Sequence, residues 1–454
     1  MKRFGYILLA LVFGMCCMEN ATAQIVALRS PKSGEVVVGN LIVSRDTDNV
    51  VVDYDILFGE NVKACAVGLY VSTDIGSSWK SLGDGVKGNV GNILQPGPKK
   101  ILLPLDYYEP ALKDKQLMLK LVVHDVVRSV NLAVRGTSNC YVVSRKAFYT
   151  FPAVKGNSSE SVGKVAAVDV LWETFGSSQA PLKGELISKV YYEDGMISFV
   201  TSERYREGNA LIAARDASGK ILWSWHIWLT DQPVEQPYFN GAAVMMDRNL
   251  GATSAEPGDP ASLGLFYQWG RKDPFPGSSS VSSYSLAKCT IPWPSAVSSG
   301  DVSGTIEYTI ARPATFIVHT TRKAEWHNDA DSTRWHSDKT IYDPCPPGWR
   351  GPDGDVWIKA LGPNADCTDI YDRKNRGADF YGKFGGAHQI WYPAAGSLSY
   401  TGGTLTNVGY EGYYWSVTPH SPKSLAFFFN NLSQLYPAYA QMRSCGCSVR
   451  CQKE

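Results

Sequence analysis

Two cysteines bracket the C-terminal part of this chain and constrain its fold more than any other feature. Cys345 sits in Asp343-Pro344-Cys345-Pro346-Pro347-Gly348-Trp349-Arg350, and Cys451 follows Ser448-Val449-Arg450 close to the end. The prolines and glycine around Cys345 impose an irregular, non-helical turn, because proline fixes φ and donates no N–H. Val449 and its neighbours read as a terminal strand. A bridge between the two cysteines would close a loop of 106 residues. Closure of that length is worth roughly 4–5 kcal/mol in the chain-entropy model. Such a staple suits an exported, loop-built domain rather than a cytosolic enzyme.

Export is also read from the N-terminus. Met1-Lys2-Arg3 is a basic start, Phe4 to Met15 is a short apolar run, and Ala21-Thr22-Ala23 is a small-x-small cleavage site. The run is shorter than the ~20 residues of a spanning helix, so a signal peptide over 1–23 is expected. Lipid attachment at Cys16 or Cys17 is the alternative, and Phe13-Gly14-Met15 fits it poorly. The expected location is exported: cell surface, outer membrane or extracellular. Removing 1–23 leaves 42 basic and 42 acidic residues, and a neutral chain without basic clusters argues against nucleic acid. Cys65, Cys140, Cys289, Cys345, Cys367, Cys445, Cys447 and Cys451 remain as disulfide candidates. The last six can pair in 15 ways, so connectivity stays open. Their spacing lacks a zinc pattern, and neither metal nor cofactor is expected.

The mature chain reads as three β-rich segments in series. Residues 24–136 carry short β-branched strands at Val36 to Val38, Asn49 to Leu57, Ala64 to Ser72 and Leu117 to Val123, separated by glycine and proline turns. Such spacing suggests a sandwich. Residues 137–236 form a second β module, with an Asp194-Gly195 hairpin turn and a tryptophan-rich strand from Ile221 to Leu229. His226 there reads as an interior histidine, and its tryptophans as filling a contact with the next segment. Asp231 to Asn240 reads as a linker, and 237–454 as the third domain. There, short helices are expected around Pro260 to Gln268 and Asp355 to Leu361.

Several ordered motifs carry a resemblance. Leu69 to Trp79, with Asp74-Ile75-Gly76 before Trp79, resembles a turn of immunoglobulin-like modules, where it is a structural hairpin. Met245-Met246-Asp247-Arg248-Asn249-Leu250-Gly251-Ala252, Gly264 to Phe275, the Cys345 segment, Gly412-Tyr413-Tyr414-Trp415-Ser416 and Ser448 to Cys451 together resemble the FISUMP ("major paralogous") domain. Residues 137–230 look like the β module that precedes it in fimbrillin-like exported proteins. The resemblance implies a mainly β multidomain chain: two immunoglobulin-like β-sandwich modules, then an α+β C-type-lectin-like domain related to the formylglycine-generating group. Within it, a Cys345–Cys451 bridge is the expected one.

The chemistry points to recognition. The formylglycine-generating group uses a cysteine pair with four intervening residues. Cys447 and Cys451 have three, and Cys451 matches the structural cysteine, so a cysteine-dependent oxidase is the alternative reading only. Asp366, Asp369, Asp372 and Asp379 crowd one loop-rich stretch, and glycoside cleavage needs a carboxyl pair at a defined separation. The Glu-Pro-Asn and Trp-Asn-Asp calcium motifs of true C-type lectins are missing from the third domain; Trp326-His327-Asn328-Asp329 is a partial echo. Metal-independent binding through aromatic faces remains. Trp326, Trp335, Trp391, Tyr400 and Tyr410 are its expected exposed surface, whereas Trp269, Trp349 and Trp415 are expected in the core. The expected role is non-enzymatic adhesion to host or microbial glycans or surface proteins, with fimbrial subunits as assembly partners.

Overall fold

The computed structural model describes residues 6–12, 29–74, 76–82, 85–104, 117–176, 181–202, 204–281, 296–319, 325–329, 331–362, 370–380, 383–384 and 389–454. The chain is mainly β, with 46% of residues in strands and 5% helical, and it divides into two compact units, Met1–Val130 and Asn131–Glu454.

In the first unit, alternating β-branched sequences form long antiparallel strands, as period-two patterning dictates. Val36–Arg45, Asn49–Phe58, Gly97–Pro104 and Lys87–Gly88 lie in that order in one sheet. Val62–Ser72 pairs with Lys80–Ser81, Gly91–Ile93 and Leu117–Asn131 in another. Residues of both, including Val52, Ile56, Ile101, Val67, Leu69 and Leu121, meet in one core. Residues Tyr6–Val12, expected to leave with the signal peptide, form a strand antiparallel to Leu117–Val123. Asp74 tightens the hairpin before Trp79: it accepts hydrogen bonds from Ser72 Oγ (2.6 Å) and the Ser78 N–H (2.8 Å). That is a structural role, and the Lys120 ammonium lies 4.2 Å from the Trp79 ring.

The second unit holds residues 137–236 and 237–454, which share one core. A four-stranded sheet runs Cys140–Val143, Ile221–Leu229, Gly208–Arg215, Ala167–Thr174. Phe148–Pro152, Met196–Thr201 and Ile187–Glu193 form a second group. Its hairpin turns at Asp194 and Gly195, both at positive φ (47° and 78°), the backbone of a two-residue type I′ turn. Ile221–Leu229 is buried on both faces. Trp228 donates from Nε1 to the Ala252 carbonyl (2.9 Å), and His226 bonds Asn209 Oδ1 through Nε2 (2.8 Å). Burial lowers the His226 pKa to about 3, so it is neutral. Cys140 and Trp228 thereby pack with Met246, Leu250, Tyr267, Trp269 and Trp415. The expected linker itself contributes a strand, Glu235–Pro237, against Val244–Met246.

C-terminally, the sheet order is Leu405–Thr406, Ser397–Leu398, Gly446–Ser448, Glu411–His420, Lys423–Asn430, Leu435–Gln441, with Phe266–Gln268 also on Gly446–Ser448. Met245 and Arg350 both pair with Gln452, which ties the chain's end to the start of this region. The Val356–Leu361 helix forms where the sequence suggests. Pro260–Ser262 is only a 3₁₀ turn, and Phe266–Gln268 is a strand, because that segment is needed to pair with Gly446–Ser448. Among the described residues a second α-helix, Ile306–Ala311, is set by Thr305, whose side chain accepts from the Tyr308 N–H.

Candidate functional site

The aromatic side chains expected to form an exposed surface do not do so together. Trp326, Trp335 and Trp391 are 0%, 1% and 3% exposed. Each large ring gains more from burial than from solvent, and two of them also satisfy their N–H. Trp326 Nε1 donates to the Trp269 carbonyl (2.9 Å) and Trp335 Nε1 to the Tyr342 carbonyl (2.8 Å). Trp391 lies over Gly377, where a Cβ would stand 2.3 Å from the ring. Tyr400 and Tyr410 are half-buried, with different neighbours: Tyr400 packs on the core shared with Trp269, and the Tyr410 ring lies 5.8 Å from the Arg376 guanidinium. Trp269 and Trp415 are core residues as expected, and Trp349 is partly buried against them.

Buried charge accounts for the tryptophan loop. Glu325, Arg334 and Arg443 are 4%, 1% and 0% exposed. Arg334 donates from Nη2 to both Glu325 oxygens (3.0 Å each), and Arg443 Nη1 donates to Glu325 Oε2 (2.9 Å). The Arg334 guanidinium lies 4.5 Å from the Trp326 ring, and that of Arg443 lies 4.2 Å from the Trp269 ring. Rings and cations interleave, so this is architecture and not an exposed binding loop.

Cys345 and Cys451 are bridged. Cys65, Cys140, Cys445 and Cys447 are buried free thiols, while Cys289 and Cys367 lie outside the described residues. Burial pushes the Cys445 thiol up to about 12, and that of Cys447 well above the usual range. A buried, protonated thiol is a poor nucleophile. Among the described residues no group of three or more metal-binding side chains occurs, and no described helix is long and apolar enough to cross a membrane.

An aromatic surface does exist, one strand further along. Tyr413 of Glu411–His420 stands opposite Phe428 of Lys423–Asn430, which stands opposite Tyr436 of Leu435–Gln441. Period-two alternation sends Tyr414, Phe427 and Phe429 to the core on the other face. Tyr439 completes the group: its ring centroid is 5.1 Å from that of Phe428, 6.0 Å from Tyr436 and 6.1 Å from Tyr413. Tyr436 and Tyr439 are 46% and 36% exposed. The Tyr413 hydroxyl donates to Glu411 Oε2 (2.9 Å). Burial and then the Glu411 carboxylate hold that hydroxyl protonated, well above its usual range. The result is a tilted platform of rings with a carboxylate at its rim. Pro437 lies in its outer strand and cannot donate to a further strand, so the edge is blunted while the rings stay open. The sequence signal was Tyr436-Pro437-Ala438-Tyr439, a short aromatic edge strand that lacks the length of a clear β pattern.

No family model matches the chain, and no curated protein matches it.

Proposed function

We propose that this chain is an exported recognition protein that binds a glycan or protein ligand on the Tyr413–Phe428–Tyr436–Tyr439 platform without catalysis. The observation that carries the reading is the exposure of two tyrosines stacked on a buried aromatic base, beside the Glu411 carboxylate. Ring faces cover the apolar faces of sugars or a protein side chain at small entropic cost, and the carboxylate and phenol groups supply directional hydrogen bonds. The FISUMP resemblance, with its C-type-lectin-like fold, supports the same role, as do the immunoglobulin-like turn at Asp74 and the signal-peptide pattern over 1–23. Adhesion at the cell surface, including attachment to fimbrial subunits, is the setting in which such a protein works.

A glycan array of the mature chain, with and without calcium, tests this. Binding is expected to be unchanged by calcium. Tyr436→Ala and Tyr439→Ala should each weaken it about tenfold, the worth of ~1.4 kcal/mol of ring contact. Retained affinity in both variants would move the ligand off the platform, and a blank array would leave protein ligands.

The cysteine-dependent enzyme is separated by thiol reactivity. Cys445 and Cys447 are expected to stay unlabelled by a maleimide at pH 8 in the folded protein and to label after denaturation, because burial keeps both protonated there. Rapid labelling of either in the folded state, mapped by mass spectrometry, would restore the enzyme reading.

A further inference from the structure

A cavity of about 460 Å³ opens beside the Ala167–Thr174 strand, and its described lining contains none of the tyrosine platform's residues. Its lining includes four consecutive strand residues, Val170, Leu171, Trp172 and Glu173. Neighbouring side chains of a strand point to opposite faces, so a cavity on one face touches alternate residues. Contact with four in a row needs an open backbone edge or a break in that alternation, and this strand has both. This strand ends its sheet: Gly208–Arg215 pairs with one side, and no described strand is ordered beyond the other. The register slips between Val170 and Trp172, which leaves Leu171 as an unopposed bulge residue. Bulges of this kind turn backbone groups out of the ladder and recur beside binding sites. Among the described residues, no backbone hydrogen bond outside the strand ladders reaches Val168–Glu173.

The facing wall has the opposite character. It contains Pro274, Phe275 and Pro276, with Pro181 nearby. Prolines donate no N–H, and the Phe275 backbone is already paired with Phe266 in both directions (2.8 and 2.9 Å). Pro274, Phe275 and Pro276 are themselves buried, so the partly exposed apolar groups of the lining are Pro181 and Ala314, while the strand edge supplies donors and acceptors. Charge also has a sign here. The Glu173 carboxylate accepts from the N–H groups of Gly184 (2.7 Å), Leu186 (3.1 Å) and Ile187 (2.7 Å), so its charge is held inward. Lys183 is exposed at the lining and gives the opening a positive charge.

We infer that this cleft binds an extended acidic peptide, which adds as a strand to the free edge at Val170–Trp172, packs an apolar side chain against Pro181 and Ala314 and sets a carboxylate at Lys183. Main-chain pairing supplies affinity in this mode, and the wall and the lysine supply selectivity. The site is independent of the tyrosine platform.

The test uses the full chain and fluorescent octapeptides that alternate valine with glutamate or valine with lysine, each also made with odd or even amides N-methylated. Anisotropy should show saturable binding of the glutamate peptide. One methylation pattern should weaken it about tenfold and the other little, since only alternate amides face the strand edge. Lys183→Glu, at an exposed position, should reverse the preference between glutamate and lysine peptides. Amide hydrogen exchange at Val170–Trp172 should slow on binding, and Tyr436→Ala should change none of this. Equal weakening by both methylation patterns, an unreversed charge preference, or no binding by any peptide would each overturn the inference.

Discussion

Replacing Cys345 and Cys451 together by alanine is expected to cost the C-terminal unit roughly 4–5 kcal/mol. The bridge closes 106 residues, and its two cysteines are fully buried with Cα atoms 6.0 Å apart. Most of its effect is on the unfolded chain, which it holds together across about half of the third sequence segment. The folded side of the account is local. Gln452 pairs with Met245 and Arg350, and Lys453 with Trp349, so the last strand lies beside the Cys345 turn. That turn is in turn fastened to the preceding segment: Ser138 Oγ donates to the Cys345 carbonyl (2.6 Å), and Asn139 Nδ2 donates to the Asp343 carbonyl (2.9 Å). Without the bridge these short strands must hold the freed terminus by hydrogen bonds and the packing of Val449 and Arg450. Urea denaturation followed by tryptophan fluorescence measures the difference. A midpoint shift equivalent to less than 1 kcal/mol would mean that the sheet, and not the staple, fixes the C-terminus.

What could be read from the residues alone divides by the range of the forces involved. The strand at Ile221–Leu229 and the Asp194-Gly195 turn were legible because a short apolar run after a Ser218-Gly219 turn and positive-φ chemistry are local signals. The Cys345–Cys451 bridge was legible through the resemblance, not through spacing, which left the pairing open. The C-terminal sheet was harder: Phe266–Gln268 and Gly446–Ser448 are three residues each and have no period to detect. Their pairing spans the whole region, which is why Pro260 to Gln268 reads as a helix in isolation. Residues 137–236 and 237–454 read as separate because their contact is made by Cys140, Trp228, Met246 and Tyr267, distant in sequence and joined only in the fold.

The site failed to show for a related reason. Trp326 and Trp335 sit among Asn, Asp, Ser and His, a neighbourhood that looks exposed. They are buried because Arg443, 118 residues after Glu325, folds back onto that loop. Tyr436 and Tyr439 face solvent because their strand is the last of its sheet, a property of topology and not of composition. An aromatic residue's exposure is thus set by the sheet order around it more than by its neighbours in the chain.

Glu325→Ala should test that dependence with an effect of about 3–5 kcal/mol, the cost of removing one partner from a buried ion pair. The carboxylate serves two guanidinium groups at once, from Arg334 and Arg443, and also accepts from the N–H groups of Trp326 (3.0 Å) and His327 (3.2 Å). Its loss leaves two buried cations without their shared anion. Arg334 then keeps its aromatic neighbours and the attraction of the Asp331 carboxylate, and Arg443 keeps Ser424 Oγ (2.9 Å) and Ser332 Oγ (3.0 Å), but both lose the charged hydrogen bonds to Glu325. Glu325→Gln retains an acceptor and the volume and should lose less. The damage should also be directional: Trp326 and Trp269, held between the cations, should gain solvent exposure and shift their fluorescence to the red before the rest of the unit unfolds. The Tyr436–Tyr439 platform lies on a different strand and should keep its ligand until global unfolding. A loss below 1 kcal/mol in Glu325→Ala, with unshifted fluorescence, would show that the tryptophans hold the loop without the charge cluster.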